Sequence, residues 1–209
     1  MDRYDNDFEK AALVWESSRV KPLPALAALL PYANGRVVLD AGCGNGRNTK
    51  VLLNYFDEVH GCDLSTTLLE FAKKRLGKEV ELKEANITNL PYRDSSFDCV
   101  FSFAVFHHLD NKKNRIAAFK EAYRVLKKGG FFLMNVRSKY ESKAVGKKVI
   151  YTHWLGFRVY NYLYGETELK NLAKTAGFKV VKCFWEKNGR EFTKKGSSNL
   201  CCVFQKAKN

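Results

Sequence analysis

Three glycines and two aspartates set the chemistry that this sequence can do. Val37–Gly46, read Val-Val-Leu-Asp-Ala-Gly-Cys-Gly-Asn-Gly, is a short apolar run ending in a glycine-rich loop. Glycine lets a ligand lie against bare backbone, and a helix starting directly after the loop aims its N–H groups at that ligand. Asp63 stands 21 residues beyond Gly42, close to the spacing at which an acid holds ribose hydroxyls in dinucleotide folds. The pattern therefore points to a nucleoside-bearing ligand at the carboxyl ends of a set of strands. Two departures narrow the choice. The dinucleotide pattern G-x-G-x-x-G needs a small residue where Arg47 stands, and Asp40 places a carboxylate at the strand tip beside the glycines. A carboxylate there repels a pyrophosphate and attracts a cation.

The elements that must position these residues follow from hydrophobic periodicity and punctuation. Tyr4–Ser17 reads as an amphipathic helix with Phe8, Ala11, Ala12, Leu13 and Trp15 apolar, and Leu23–Leu30 as a second helix bounded by prolines. Strands at Val37–Leu39, Glu58–Cys62, Val80–Lys83, Asp98–Phe103 and Phe131–Val136 then alternate with helices at Asn48–Phe56, Thr66–Leu76 and Lys112–Leu126. Such alternation predicts βαβ units and a parallel sheet covered on both faces. A last helix, Thr167–Ala176, leads to strands Lys179–Trp185 and Leu200–Gln205, which a polar loop would let pair as an antiparallel hairpin. The fold expected is α/β and Rossmann-like: a mostly parallel seven-stranded sheet, helices on both faces and a C-terminal antiparallel hairpin. One domain, 1–209, would contain a helical extension at 1–34 and an insertion at 138–165 that interrupts the rhythm, as functional or lid-like insertions do.

Composition bounds the remaining possibilities. With 209 residues, 45% hydrophobic and 13% aromatic, the chain has enough apolar surface for a core, which excludes disorder and a disulfide scaffold. No apolar run reaches the ~18–20 residues of a membrane span, and the acidic opening does not resemble a signal peptide. Six cysteines show neither C-x-x-C pairs nor zinc spacing, which reads as no metal and a reducing, cytoplasmic setting. The net charge of +14 is lopsided. Residues 1–111 hold 13 basic and 16 acidic side chains, whereas residues 112–209 hold 23 and 6. That asymmetry suits a basic face for a polyanion such as nucleic acid, or alternatively a lysine-rich solvated surface. Lys127–Lys128 and Lys194–Lys195 read as solvated turns.

S-adenosylmethionine carries a sulfonium and an ammonium on one adenosine, and here the chain resembles the class I methyltransferases that use it. Leu39-Asp40-Ala41-Gly42-Cys43-Gly44-Asn45-Gly46 is similar to their first motif, Cys62-Asp63-Leu64-Ser65 to their ribose motif, and Leu90–Asp98 to the entry of their fourth strand. The resemblance implies S-adenosyl-L-methionine as cofactor. It would place Asp40, Gly42, Cys43, Gly44 and Gly46 around the methionine moiety and Asp63 on the ribose. Leu64 would pack on the adenine, with Ile87 and Phe103 completing the site. Asn86 stands where the family usually has an acid, and its amide oxygen can still accept from the adenine amino group.

Three further stretches resemble a narrower family, the tRNA wobble-uridine methyltransferases, which esterify the carboxymethyl group of a modified wobble uridine. They are Ser17-Ser18-Arg19-Val20-Lys21-Pro22-Leu23-Pro24, Phe101–Leu109, and Arg158-Val159-Tyr160-Asn161-Tyr162-Leu163-Tyr164 with Glu166–Leu169. The likeness implies a tRNA substrate, with a small zinc-binding activator protein as a possible partner. A carboxylate acceptor is already ionised at neutral pH and needs cationic donors rather than a strong base; arginine forks fit it in two-point contact. Arg19 and Arg158 are the candidates, with Lys21 a third, while Arg19 on a helix surface would be a plain solvated charge. His107 and His108, after the fourth strand, would orient the base or take a proton; the same pair would equally cap the next helix. Leu23, Asn161 and Leu200-Cys201-Cys202 depart from the family pattern. Basic and aromatic residues interleave in the insertion: Lys139, Lys143, Lys147, Lys148 and Arg158 among Tyr140, Tyr151, Trp154, Phe157, Tyr160, Tyr162 and Tyr164. This suits single-stranded RNA, or else a lid whose aromatics pack on the sheet. The alternatives to a tRNA methyltransferase are a small-molecule methyltransferase and a non-catalytic RNA-binding or scaffold protein.

Overall fold

The computed structural model describes residues 5–141, 146–154, 157–193, 197 and 199–208, leaving aside the side chains of 5–8, 154 and 157. Of the positions singled out by sequence, Tyr4, Lys143 and Lys194–Lys195 lie outside the described residues, and Phe8, Trp154 and Phe157 outside the described side chains.

Alternating strands and helices build one sheet in the order β3-β2-β1-β4-β5-β10-β8-β9. β1 (Val37–Ala41), β2 (Glu58–Asp63), β3 (Val80–Glu84), β4 (Phe97–Phe103) and β5 (Leu126–Arg137) run parallel. β10 (Asn199–Gln205) enters antiparallel between β5 and β8 (Lys179–Lys187). The expected antiparallel pairing at the C-terminus is present, but the sheet has eight strands rather than seven. The extra one, β9 (Arg190–Phe192), is a three-residue exposed edge that pairs with β8 inside what reads as a polar loop.

Side chains alternate across the strands, so neighbours divide between two cores. Leu39, Val100, Phe132 and Cys202 face one cluster, with α5 (Lys112–Val125) and α6 (Glu166–Thr175). Val38, Phe101, Leu133 and Cys201 face the other, with α2 (Pro24–Leu29), α3 (Thr49–Leu52) and α4 (Thr66–Leu76). Cys201 and Cys202 are thus small hydrophobes on opposite faces.

Outside this frame lie two pieces. α1 (Asp5–Ser18) packs Ala11, Ala12 and Trp15 against Leu68 of α4 and Val159. Within the 138–165 insertion, β6 (Val149–Trp154) and β7 (Phe157–Tyr162) form a separate antiparallel ribbon, Tyr151 opposite Tyr160 and His153 opposite Arg158. Among the described residues, no helix is long and apolar enough to cross a membrane.

Candidate functional site

A cleft with about 210 Å³ of room opens at the carboxyl ends of β1, β2 and β4, below α1. Its floor is the glycine loop. Gly42 and Cys43 donate their N–H groups to the Cys62 carbonyl at 2.7 and 2.9 Å, which folds the chain back against β2. At Gly42 the backbone has φ +84°, and a Cβ would stand 2.3 Å from Cγ2 of Val105, so only glycine fits. At Gly44, also left-handed, the nearest heavy atom to an added Cβ is Leu68 Cδ1 at 4.0 Å; a side chain there would project into the cleft.

Asp63 closes β2 and lines the cleft. Its Oδ2 accepts from Gly44 N–H at 2.7 Å and its Oδ1 from Ser65 N–H at 3.0 Å. Burial pushes its carboxyl above the usual range, against the pull of those backbone bonds. Leu64, 42% exposed, presents a bare apolar side chain beside it, with Ile87 and Phe103 on other walls. A carboxylate that can take hydroxyls, an exposed apolar contact and a floor of bare backbone together suit a nucleoside, and the donor set fits the cofactor that the sequence implies.

Arg19 and His108 form a second wall. The Arg19 guanidinium lies 4.0 Å from the Trp15 ring centroid. Burial, then the charges of Arg47 and Arg137, lowers its pKa to about 10, which leaves it charged at neutral pH. His108 donates Nδ1–H to the Tyr160 carbonyl at 2.9 Å, which fixes its tautomer because a carbonyl only accepts. Burial depresses its pKa to about 4, so the ring is neutral. Ala104, between Phe103 and Val105, adopts φ +60°, which is uncommon for a residue with a Cβ. Its N–H is held by the Asn135 side-chain oxygen at 3.0 Å.

Several expectations are corrected. Asp40 does not line the cleft: its side chain is fully buried behind the glycine loop, where Oδ2 accepts from Thr49 Oγ1 at 2.6 Å. Oδ1 has no hydrogen-bond partner among the described residues. Gly46 also turns away, since a Cβ there would meet Leu76 Cδ1 of α4 at 2.7 Å. His107 is buried in packing, its Nδ1 accepting from Arg137 N–H at 3.4 Å; neither it nor Arg158 lines the cleft. Arg158 is exposed on the ribbon. Asn86 lines the cleft, but its amide oxygen already accepts from Thr88 N–H at 3.0 Å and Thr88 Oγ1 at 2.9 Å. An adenine there would meet its NH2 rather than that oxygen.

Sequence reasoning also missed residues. Trp15 reads only as a helix-face apolar residue, yet it lines the cleft. Arg47 stands out merely as a departure from a pattern; its Nη1 donates to the Lys21 carbonyl at 3.2 Å and ties the N-terminal extension to the loop. Asn45 Nδ2 reaches Glu16 and the Arg19 carbonyl, and Glu16 pairs with Arg75 of α4 at 2.8 Å. Asn45 carries the clearest signal, a polar side chain inside a glycine loop.

Comparison with known proteins agrees with this geometry. Residues 39–134 match a family model described as methyltransferase domain. A putative methyltransferase of Encephalitozoon cuniculi is 37% identical over 161 residues, covering 72% of this chain and 73% of its own. A tRNA (carboxymethyluridine(34)-5-O)-methyltransferase of Schizosaccharomyces pombe is 31% identical, covering 76% and 72%. Its Arabidopsis thaliana namesake is 38% identical over 62% of this chain, which spans only 31% of that relative's length. Among solved structures, the chain superposes with a TM-score of 0.76 and 17% identity on a complex between the Haloferax volcanii Trm112 methyltransferase activator and a putative methyltransferase, covering 98% of each chain.

Proposed function

The chain belongs to the S-adenosylmethionine-dependent methyltransferase family, and on that premise we propose that it methylates tRNA, at the carboxylate of a carboxymethyl-modified wobble uridine. The observation that carries this reading is Arg19: a charged, half-buried guanidinium lining the same cleft as the cofactor floor, beside a neutral histidine. A carboxylate acceptor needs such a cation and no base. The names of the S. pombe and A. thaliana relatives support the acceptor.

In the assignment proposed here, Asp63 accepts the ribose hydroxyls, Leu64 and Ile87 pack on the adenine, and Gly42, Cys43 and Gly44 lie along the methionine part, with Phe103 closing the site. Bound there, S-adenosylmethionine supplies a methyl group already activated by its sulfonium. Arg19 holds the acceptor carboxylate and Trp15 holds Arg19 flat. His108, neutral and of fixed tautomer, orients the base without competing for a proton. Asp40 acts from behind the loop, through its field rather than by contact.

Labelled S-adenosylmethionine with tRNA from cells lacking this protein, followed by mass spectrometry of the nucleosides, tests the reading: label should appear in the methyl ester of a carboxymethyluridine. Label elsewhere, or none, overturns it. Arg19→Ala should cut transfer by about ten-fold or more while cofactor affinity holds; equal losses would make Arg19 structural. A small zinc-binding activator belongs to the same proposal, supported by the complex that the H. volcanii neighbour forms. Co-expression with one should raise soluble yield and activity.

A further inference from the structure

The β6–β7 ribbon has two unlike faces. Val159 points into the cluster with Ala11, Ala12, Trp15 and Leu68. Arg158, next to it in β7, points the other way, as alternation requires. There its guanidinium stacks 3.6 Å from the centroid of Tyr151, which is 40% exposed. His153, opposite Arg158 in register, is exposed, as are Lys147 and Lys148 at the base of the ribbon. From residue 142 to residue 165 the sequence has no acidic side chain, and among the described residues no carboxylate pairs with Arg158.

A flat guanidinium held on a half-exposed ring, with no acid in its segment to neutralise it and two lysines at the far end of the same ribbon, is a stacking platform in a basic segment. That combination suits a ligand with both phosphates and π-faces, which is single-stranded RNA. Two residues along β7 from Arg158, roughly 6–7 Å at strand rise, the Tyr160 carbonyl takes the Nδ1–H of the cleft-lining His108. Tyr160 Oη donates to the Asp110 carbonyl at 3.2 Å as well. The ribbon is therefore fastened to the cleft wall right beside its exposed platform.

We propose that the Tyr151–Arg158 stack, with His153, Lys147 and Lys148, binds a nucleotide flanking the one whose modified base enters the cleft. The base stacks on the outer plane of Arg158, and the lysines, roughly 16–20 Å along the ribbon at strand rise, meet phosphates further along the same strand of RNA. This rests on the tRNA reading above and turns Arg158 from a carboxylate clamp into a contact for the neighbouring nucleotide.

Fluorescence anisotropy of the full chain with a labelled anticodon stem-loop RNA, titrated at several KCl concentrations, tests it. Tyr151→Ala and Arg158→Ala should each weaken binding roughly ten-fold. Arg158→Ala should also lower the slope of log affinity against log salt by about one. Arg158→Lys should restore that slope but not the full affinity, and Tyr151→Phe should bind as the unchanged protein does. Cofactor affinity measured on each variant reports its fold, independently of RNA. If the unchanged protein binds the stem-loop with steep salt dependence while the alanine variants stay within about two-fold of it, the platform is refuted and the tRNA reading survives. If the unchanged protein shows no salt-dependent RNA binding, both fall.

Discussion

Lowering the pH should weaken cofactor binding through a residue that never touches the cofactor. Burial pushes the Asp40 carboxyl from 3.8 up to about 7; the Thr49 hydrogen bond opposes this, and the charge of Asp63 adds to it. A cationic ligand in the neighbouring cleft favours the ionised form. Below about pH 7, ligand binding must therefore expel the Asp40 proton. While the bound-state carboxyl is ionised and the ligand-free one is not, affinity falls ten-fold per pH unit, about 1.4 kcal/mol. Between pH 7 and 5 the expected loss is about fifty-fold, since half of Asp40 is already ionised at pH 7. The ceiling is the whole displacement of the pKa from 3.8 to about 7, roughly 4 kcal/mol. The sign for stability follows from the same shift. Asp40 by itself makes the ligand-free protein less stable as pH rises from about 4 to 7, because the native carboxyl holds a proton that the unfolded chain has released; His108, neutral when folded, contributes in the opposite sense. The thermal shift given by the ligand should therefore grow with pH over that range. Isothermal titration of S-adenosylmethionine at pH 5.5, 6, 7 and 8, in two buffers of different ionisation enthalpy, measures both affinity and proton release, with close to one proton released at pH 6. Asp40→Asn, which keeps an oxygen for Thr49, should flatten the profile. An affinity that does not change between pH 5.5 and 8, with no buffer dependence, would refute the reasoning.

Asp63→Ala removes the carboxylate proposed for the ribose, along with the acceptor of the Gly44 and Ser65 N–H groups. Two charge-assisted bonds at about 1.5–3 kcal/mol each put the loss of cofactor affinity at about a hundred-fold or more; a change under about three-fold by titration calorimetry would contradict the assignment. His108 titrates near 4 instead of 6.5 because it is buried. The unfolded chain thus takes up a proton first as pH falls, and the native state loses up to about 3 kcal/mol between pH 6.5 and 4. Because Asp40 acts in the opposite sense, the difference between proteins is the readout: urea unfolding at pH 7 and pH 5 should show His108→Gln losing less stability toward pH 5 than the unchanged protein does, and an equal change in both would mean that the ring is more hydrated than its packing implies.

The sheet was legible because its signals are local. β1 and β2 are short runs that end beside a glycine or an acid, and Asp63 announces itself by its distance from Gly42. What stayed hidden depends on direction. Asp40 and Asp63 look alike in sequence, each ending a strand, yet one carboxylate turns under the loop to Thr49 and the other into the cleft. Only the course of the loop decides which. Trp15 and Arg47 reach the site from elements that show amphipathicity or a broken pattern, and nothing short of tertiary packing brings them together. The ribbon was concealed because Val149–Trp154 and Phe157–Tyr162 place apolar and aromatic side chains at adjacent positions, so no clean two-residue period shows. β9 holds only three exposed residues, too few for any period to show.

The charges of the cleft also bear on how a turnover ends. Asp63 has its proton affinity set by burial, by backbone N–H groups and by Glu9, whereas Arg19 answers to burial, Arg47 and Arg137. Each charged wall thus lies in surroundings of its own sign, which heightens its attraction for an opposite charge. In the proposed reaction a sulfonium belongs near the acids and a carboxylate near the arginines. Methyl transfer between them cancels both charges, giving a thioether and a neutral ester, so the features that gather the reactants lose their hold on the products. The same cancellation means that a tight grip on the charged ground state would slow the step itself. A guanidinium already stacked on the Trp15 ring shares its charge with that ring and so is suited to grip moderately, orienting the acceptor more than stabilising it.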